Sequence, residues 1–230
     1  MRYIRKGPEP RELTEHKAAA NEDWKPTYAN LREKPAVRKA LAVEQGYLCG
    51  YCGSRVGERD GDCHIEHLSP QTKHPELQLA YDNMLASCMA SDKEPPVPEH
   101  CGAARGIKPV PISPYAPDCA DFFEFGSDGS IRPSSDLARK GPAKETIKNL
   151  NLDVRRLTAA RQAAIDGALQ GLDDQLPDVL RAEAAQYARM DARGRLPSFC
   201  FAIEQVLSRE AALSEPATTS HALTRERQDE

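Results

Sequence analysis

Cysteine spacing constrains this chain more than any other feature. Cys49-Gly50-Tyr51-Cys52 is a CxxC knuckle, and Cys88 and Cys101 follow downstream. Zinc favours four soft ligands in a tetrahedron, and structural sites commonly draw two from each of two knuckles. The second half is stretched here. Twelve residues separate Cys88 from Cys101, and Ser91 stands where a second CxxC would place its cysteine. A wide loop adds little closure cost, because that cost grows only with the logarithm of length. The four cysteines are expected to bind structural Zn2+, with His100 a rival to Cys101 for the fourth position. Any such fold must double the chain back, so that residues 49–52 meet 88 and 101.

The folded-back stretch carries His64-Ile65-Glu66-His67 and then Asn83. Glu66 is a hard oxygen donor suited to Mg2+ or Mn2+. His67 has a side-chain type that can take a proton from water near neutral pH. On a regular strand His64 and Glu66 share a face while His67 points away. For Glu66 and His67 to serve one centre, the strand must end or bulge at that point. Ser69-Pro70 fits a strand end.

Composition narrows the classes. Hydrophobic residues make up 40% and charged residues 29%, which suits a globular chain and excludes an unfolded one. The apolar runs are too short to cross a bilayer, and the N-terminus lacks the apolar stretch of a secretion signal, so a cytoplasmic location without membrane is expected. Seven cysteines, an odd number, argue against a disulfide framework. Cys63, Cys119 and Cys200 fall outside the metal spacing and read as buried thiols. The net charge of −4 is not that of a basic nucleic-acid binder. Local basic clusters at Arg2-Arg5-Lys6, Arg32-Lys34-Arg38-Lys39 and Arg155-Arg156-Arg161 read as solvated helix faces. The lone Trp24 reads as a packing anchor.

Residues 13–46 are predicted mostly helical, broken by Pro26 and Pro35, with a short amphipathic helix after Pro35 that Gly46 ends. Asp60-Gly61 suggests a hairpin turn leading into a strand from Cys63 to Leu68. Residues 77–90 read as the start of a helix. Phe122–Ile131 reads as a second hairpin, and apolar residues recur at helical spacing from 143 onward, with Pro177 starting a new helix. Residues 214–230 are polar and expected to be disordered.

CxxC, then Ile65-Glu66-His67-x-x-Pro70, then Asn83-Met84-Leu85, Cys88, and His100-Cys101-Gly102-x-x-Arg105-Gly106 together resemble the HNH endonuclease superfamily. More narrowly the chain is similar to PtuB-like proteins of Septu and retron anti-phage systems. The flanks at Arg2–Lys6, Ile112–Pro114, Phe122–Ile131 and Ala143–Leu157 share the likeness. The resemblance implies an α+β fold: a ββα-metal (HNH, or His-Me finger) centre with a structural zinc site, inside a mostly α-helical single domain. It implies His67 as general base, Glu66 as ligand of the catalytic ion, and Asn83 as the residue that holds the loop and orients the base. Cys49, Cys52, Cys88 and Cys101 become the zinc ligands, and Arg105 a residue that approaches phosphate. Many superfamily members place a second metal ligand directly after the last cysteine, where this chain has Gly102. His64, His100, Asp92 or water are the alternatives. The expected organisation is a helical segment at 1–46, the zinc-stapled nuclease core at 47–110, a hairpin with C-terminal helices at 111–210, and a tail at 211–230. The implied partners are a nucleic-acid substrate, DNA favoured, a PtuA-type ATPase, and a retron RNA/DNA complex. Competing readings are an RNase acting on tRNA and a non-catalytic zinc-ribbon binding module.

Overall fold

The computed structural model describes residues 1–89, 98–172 and 175–214. Helices surround two small antiparallel sheets. Helices α1 (Arg11–Ala18) and α2 (Lys34–Glu44) come first, followed by strands β1 (Cys63–His67) and β2 (Met84–Cys88). A single helical turn, α3 (Gly102–Arg105), precedes strands β3 (Phe123–Phe125) and β4 (Ile131–Pro133). Four helices complete the chain: α4 (Leu137–Leu150), α5 (Arg155–Leu169), α6 (Pro177–Tyr187) and α7 (Cys200–Leu213).

The central sheet pairs β1 with β2 in unbroken register, from Cys63 opposite Cys88 to His67 opposite Met84. Helix α2 lies over it and buries Val37, Leu41 and Ala42. Pro35 sits in the first turn of α2, where its missing N–H costs nothing, so it starts the helix rather than interrupting one. Two residues at positive φ, Gly46 and Tyr47, turn the chain out of the helix. The outer edge of β2 is closed by side chains and by the knuckle. The buried Gln45 carboxamide accepts from the Ala86 N–H at 2.7 Å and donates to the Ala86 carbonyl at 2.9 Å, which the Gly50 N–H also reaches.

The helix expected over 77–90 is not formed. Leu77 and Tyr81–Asn83 lie in short 3-10 turns, and Met84–Cys88 is a strand with every residue buried. A short continuous apolar run covered on both faces carries no period, so a strand there looks like a helix. Asp60-Gly61 does form a turn, with Gly61 at φ 84°. It is not a hairpin turn, because the partner of β1 comes later in sequence. The 122–131 hairpin is present as β3–β4. Helix α4 begins six residues before the expected 143 and contains Pro142; Asp136 caps it by accepting from the Ala138 N–H at 2.8 Å. Pro177 opens α6.

The C-terminal helices cover the core. Ile147, Leu150, Leu157, Ile165, Leu180, Ile203, Val206 and Leu207 are all buried. Gln205 on α7 clamps β3, accepting from the Phe125 N–H at 2.6 Å and donating to the Phe123 carbonyl at 2.9 Å. Not all of the basic residues face solvent: Arg38 is buried beside Asp60, and Arg161 is buried with its guanidinium on the carbonyls of Gly129 and Leu152. Trp24 is partly buried, edge-on to His16. Ser91, Asp92, most of the proline-rich loop and residues 215–230 lie outside the described residues. No helix among the described residues is long and apolar enough to cross a membrane.

Candidate metal centre and the end of strand β1

Cys49, Cys52, Cys88 and Cys101 converge. All four are buried, and their sulfurs lie within 4.8 Å of one another. Zinc–sulfur bonds of about 2.3 Å in a tetrahedron put sulfurs about 3.8 Å apart, and the Cys52 and Cys88 sulfurs are separated by 3.9 Å. The four thiols can therefore hold a zinc ion. The knuckle is tuned for anionic sulfur: the Ser54 N–H donates to Cys52 Sγ at 3.4 Å. Burial opposes ionisation of Cys49, but hydrogen bonds from the thiols of Cys101, Cys52 and Cys88 outweigh it and hold its pKa well below the usual thiol value. Burial pushes Cys101 the other way. Its backbone is held at φ 60°, unusual for a residue with a side chain, while its N–H donates to the Leu150 carbonyl at 2.7 Å.

His100 stands beside the cluster: Nδ1 is 3.3 Å from Cys101 Sγ and 3.6 Å from Cys88 Sγ. That places it within hydrogen-bond reach of two sulfurs of the cluster. Cys63, Cys119 and Cys200 are buried outside the cluster, and burial pushes the Cys63 and Cys119 thiols up to about 11.

Strand β1 ends at His67 and runs to that point without a bulge. Its burial alternates, so His64 and Glu66 share one face while Cys63, Ile65 and His67 share the other. The carboxylate and the imidazole expected to converge on one side thus lie on opposite faces. What stands beside Glu66 is His64, with Nε2 3.2 Å from Glu66 Oε2. Gly102 makes room for this pair. A Cβ at 102 would fall well inside contact distance of both His64 Nε2 and Glu66 Oε2. Among the described alternatives for the missing ligand, His64 occupies the space in front of Gly102.

The other carboxylate oxygen is taken by internal partners. Arg105 donates to Glu66 Oε1 at 2.5 Å, and the Tyr51 hydroxyl lies 3.4 Å away. Burial opposes the charge on Glu66, but the hydrogen bond with His64 and the Arg105 cation outweigh it, holding its pKa below the usual value. Arg105 is only 1% exposed. As placed, its guanidinium cannot approach a phosphate from solvent.

His67 is buried against Tyr28, whose ring meets it edge-on at 4.7 Å. Its Nε2 is 3.0 Å from the Gln78 carbonyl. A carbonyl only accepts, so Nε2 carries the proton and Nδ1 keeps the lone pair. The Gln71 side-chain amide sits 3.0 Å from that Nδ1. Burial lowers the His67 pKa, against the opposing pull of the Gln78 carbonyl, and so favours the neutral ring. Asn83 ties the loop between the strands: Oδ1 accepts from the Ser69 N–H at 2.7 Å, and Nδ2 donates to the carbonyls of Ser69 at 3.0 Å and Leu77 at 3.3 Å. That loop carries the Gln78 carbonyl.

The chain is similar to the Septu protein PtuB of Bacillus thuringiensis. The two are 25% identical over 88 residues, which is 38% of this chain and 34% of that protein. The chain thus matches about a third of the relative's length. No family model matches it.

Sequence reasoning missed Tyr51, Gln71, Gln78 and the true setting of Arg105. Tyr51 had a legible signal, since it lies inside the CxxC knuckle. Gln78 contributes only its backbone carbonyl, which no side-chain motif reports.

Proposed function

We propose that this protein is a metal-dependent HNH-type endonuclease that hydrolyses phosphodiester bonds of nucleic acid, DNA first, within an anti-phage defence system of the Septu kind. One observation carries the reading. His67 is held as a neutral imidazole, Nε2–H on the Gln78 carbonyl, with a lone pair on Nδ1 at the end of the strand that presents Glu66 one residue earlier. An imidazole with a basic nitrogen is what a general base needs, and Glu66 with His64 lies on the opposite face of the strand. Chain order is compatible with a ββα-metal unit: β1 and β2 precede the single turn α3, which begins directly after Cys101. The likeness to PtuB supports the Septu defence setting; a PtuA-type ATPase or a retron RNA/DNA complex is the partner proposed with it.

The chemistry follows from the residues. A phosphodiester would lie across the end of β1, where consecutive residues are only about 3.3 Å apart along the strand, so that both faces reach one phosphate. His67 Nδ1 takes a proton from water once the Gln71 amide has turned aside, and the water oxygen attacks phosphorus. Glu66 and His64 are the donors that would hold Mg2+ or Mn2+ on the other face. A bound cation of this kind stabilises charge on the phosphate and on the leaving oxygen. Asn83 acts through the loop that positions the Gln78 carbonyl and hence the His67 tautomer.

The test is a cleavage assay on plasmid DNA and on tRNA, with Mg2+ or Mn2+ and with and without a PtuA-type ATPase. Divalent-dependent cutting of DNA is the expected outcome. Cutting of tRNA alone, by attack of the 2′-OH, would move the substrate to RNA. Binding of nucleic acid with no cleavage of either under all conditions would leave the zinc-ribbon binding module as the correct description.

A further inference from the structure

Both halves of the cysteine cluster send a side chain to Glu66. Tyr51 stands between the ligands Cys49 and Cys52, and its hydroxyl reaches Glu66 Oε1 at 3.4 Å. Arg105 stands four residues after the ligand Cys101, closes α3 by donating its N–H to the Cys101 carbonyl at 3.0 Å, and reaches the same oxygen at 2.5 Å. The two also meet each other, Arg105 to the Tyr51 hydroxyl at 3.4 Å.

The guanidinium does more than pair with a carboxylate. It donates to the carbonyls of His67 at 2.7 Å, of Leu68, and of Lys108 at 2.9 Å. Three consecutive residues at the end of β1, Glu66 to Leu68, are therefore held by one buried side chain. Only a planar, five-donor group can span a carboxylate and several carbonyls at once, whereas an ammonium is a point charge. A cation this deeply buried is tolerated only when paired and hydrogen-bonded, and every one of these contacts belongs to the end of β1, the knuckle or the segment just after α3.

We infer that Arg105 is a positioning residue: it transmits the geometry of the four-cysteine cluster to Glu66 and His67, fixing the end of β1. The inference rests on the nuclease reading of that strand, but its consequence for the backbone does not. A metal that closes the cluster sets Cys101, Cys101 sets α3, and α3 aims Arg105. Loss of the guanidinium should loosen these few residues while the cluster stays closed.

The experiment compares zinc-loaded wild type, Arg105→Gln and Arg105→Lys by hydrogen–deuterium exchange, by the absorption spectrum of the Co2+-substituted cluster, and by cleavage. In Arg105→Gln, amides of residues 65–69 should exchange at least about tenfold faster than in zinc-loaded wild type. Residues 49–54 should stay protected and the cobalt spectrum should be unchanged. Arg105→Lys should fall between the two. Cleavage should drop in kcat with little change in KM, again partly restored by Lys. If the cobalt spectrum collapses in Arg105→Gln, the residue is part of the cluster's own support and the inference fails. If exchange over 65–69 matches wild type, it fails as well, whatever happens to cleavage. Wild type that never cleaves would remove the nuclease reading while leaving the exchange result to decide the role of Arg105.

Discussion

Replacing one cluster cysteine, as in Cys49→Ser, is expected to release zinc and unfold the chain around the central sheet. The four sulfurs are buried and within 4.8 Å of one another. Without a cation, several buried thiols must stay protonated in one another's contact. Structural zinc supplies on the order of 10 kcal/mol of apparent binding energy in small domains, and a typical domain has only about 5–15 kcal/mol of net stability. Losing even part of that term should exhaust the margin. The measurement is metal content of the purified protein, one zinc per chain expected, together with urea unfolding before and after chelation. Cys200→Ser is the control, a buried thiol outside the cluster, and should retain its zinc. A Cys49→Ser variant that keeps both zinc and its unfolding midpoint would show that the thiols are unligated core residues.

His67→Ala should abolish cleavage while the fold survives. A positioned general base typically contributes about 10²–10⁴ in rate, so the residual rate should fall by at least about a hundredfold. Because His67 is buried against Tyr28, truncation also leaves a cavity, and some stability will be lost with it. His67→Gln separates the two effects. It fills most of the space and can still donate to the Gln78 carbonyl, yet it offers no basic nitrogen. Zinc content and the far-UV circular dichroism of both variants should match wild type. If His67→Gln cleaves at the wild-type rate in Mg2+ or Mn2+, the base assignment is wrong and water activation must be sought elsewhere.

Much of the framework was legible because it depends on residue spacing. The CxxC knuckle, the long return to Cys101, the β3–β4 hairpin and the start of α6 at Pro177 all follow from turn residues and ligand chemistry read along the chain. Strand β2 did not follow, since Met84–Cys88 is apolar on both faces and gives no periodicity to read. The side-chain geometry of the site was less accessible still. Alternation along β1 was foreseeable, but that β1 would run unbulged to its last residue depends on its register with β2, a pairing across sixteen intervening residues. Arg105 was read as a residue that approaches phosphate because the family resemblance implied it. Its burial depends on the one-turn helix α3, which has no signature in composition.

The contact at Gly102 couples position 102 to positions 64 and 66. With His64 and Glu66 as placed, a Cβ at 102 would lie within 2.5 Å of both His64 Nε2 and Glu66 Oε2, so a side chain there requires both tips to shift. In chains built on this plan, a bulky residue at 102 should therefore come with a smaller or redirected residue at 64. A single change at 102 first drives His64 and Glu66 out of their present positions.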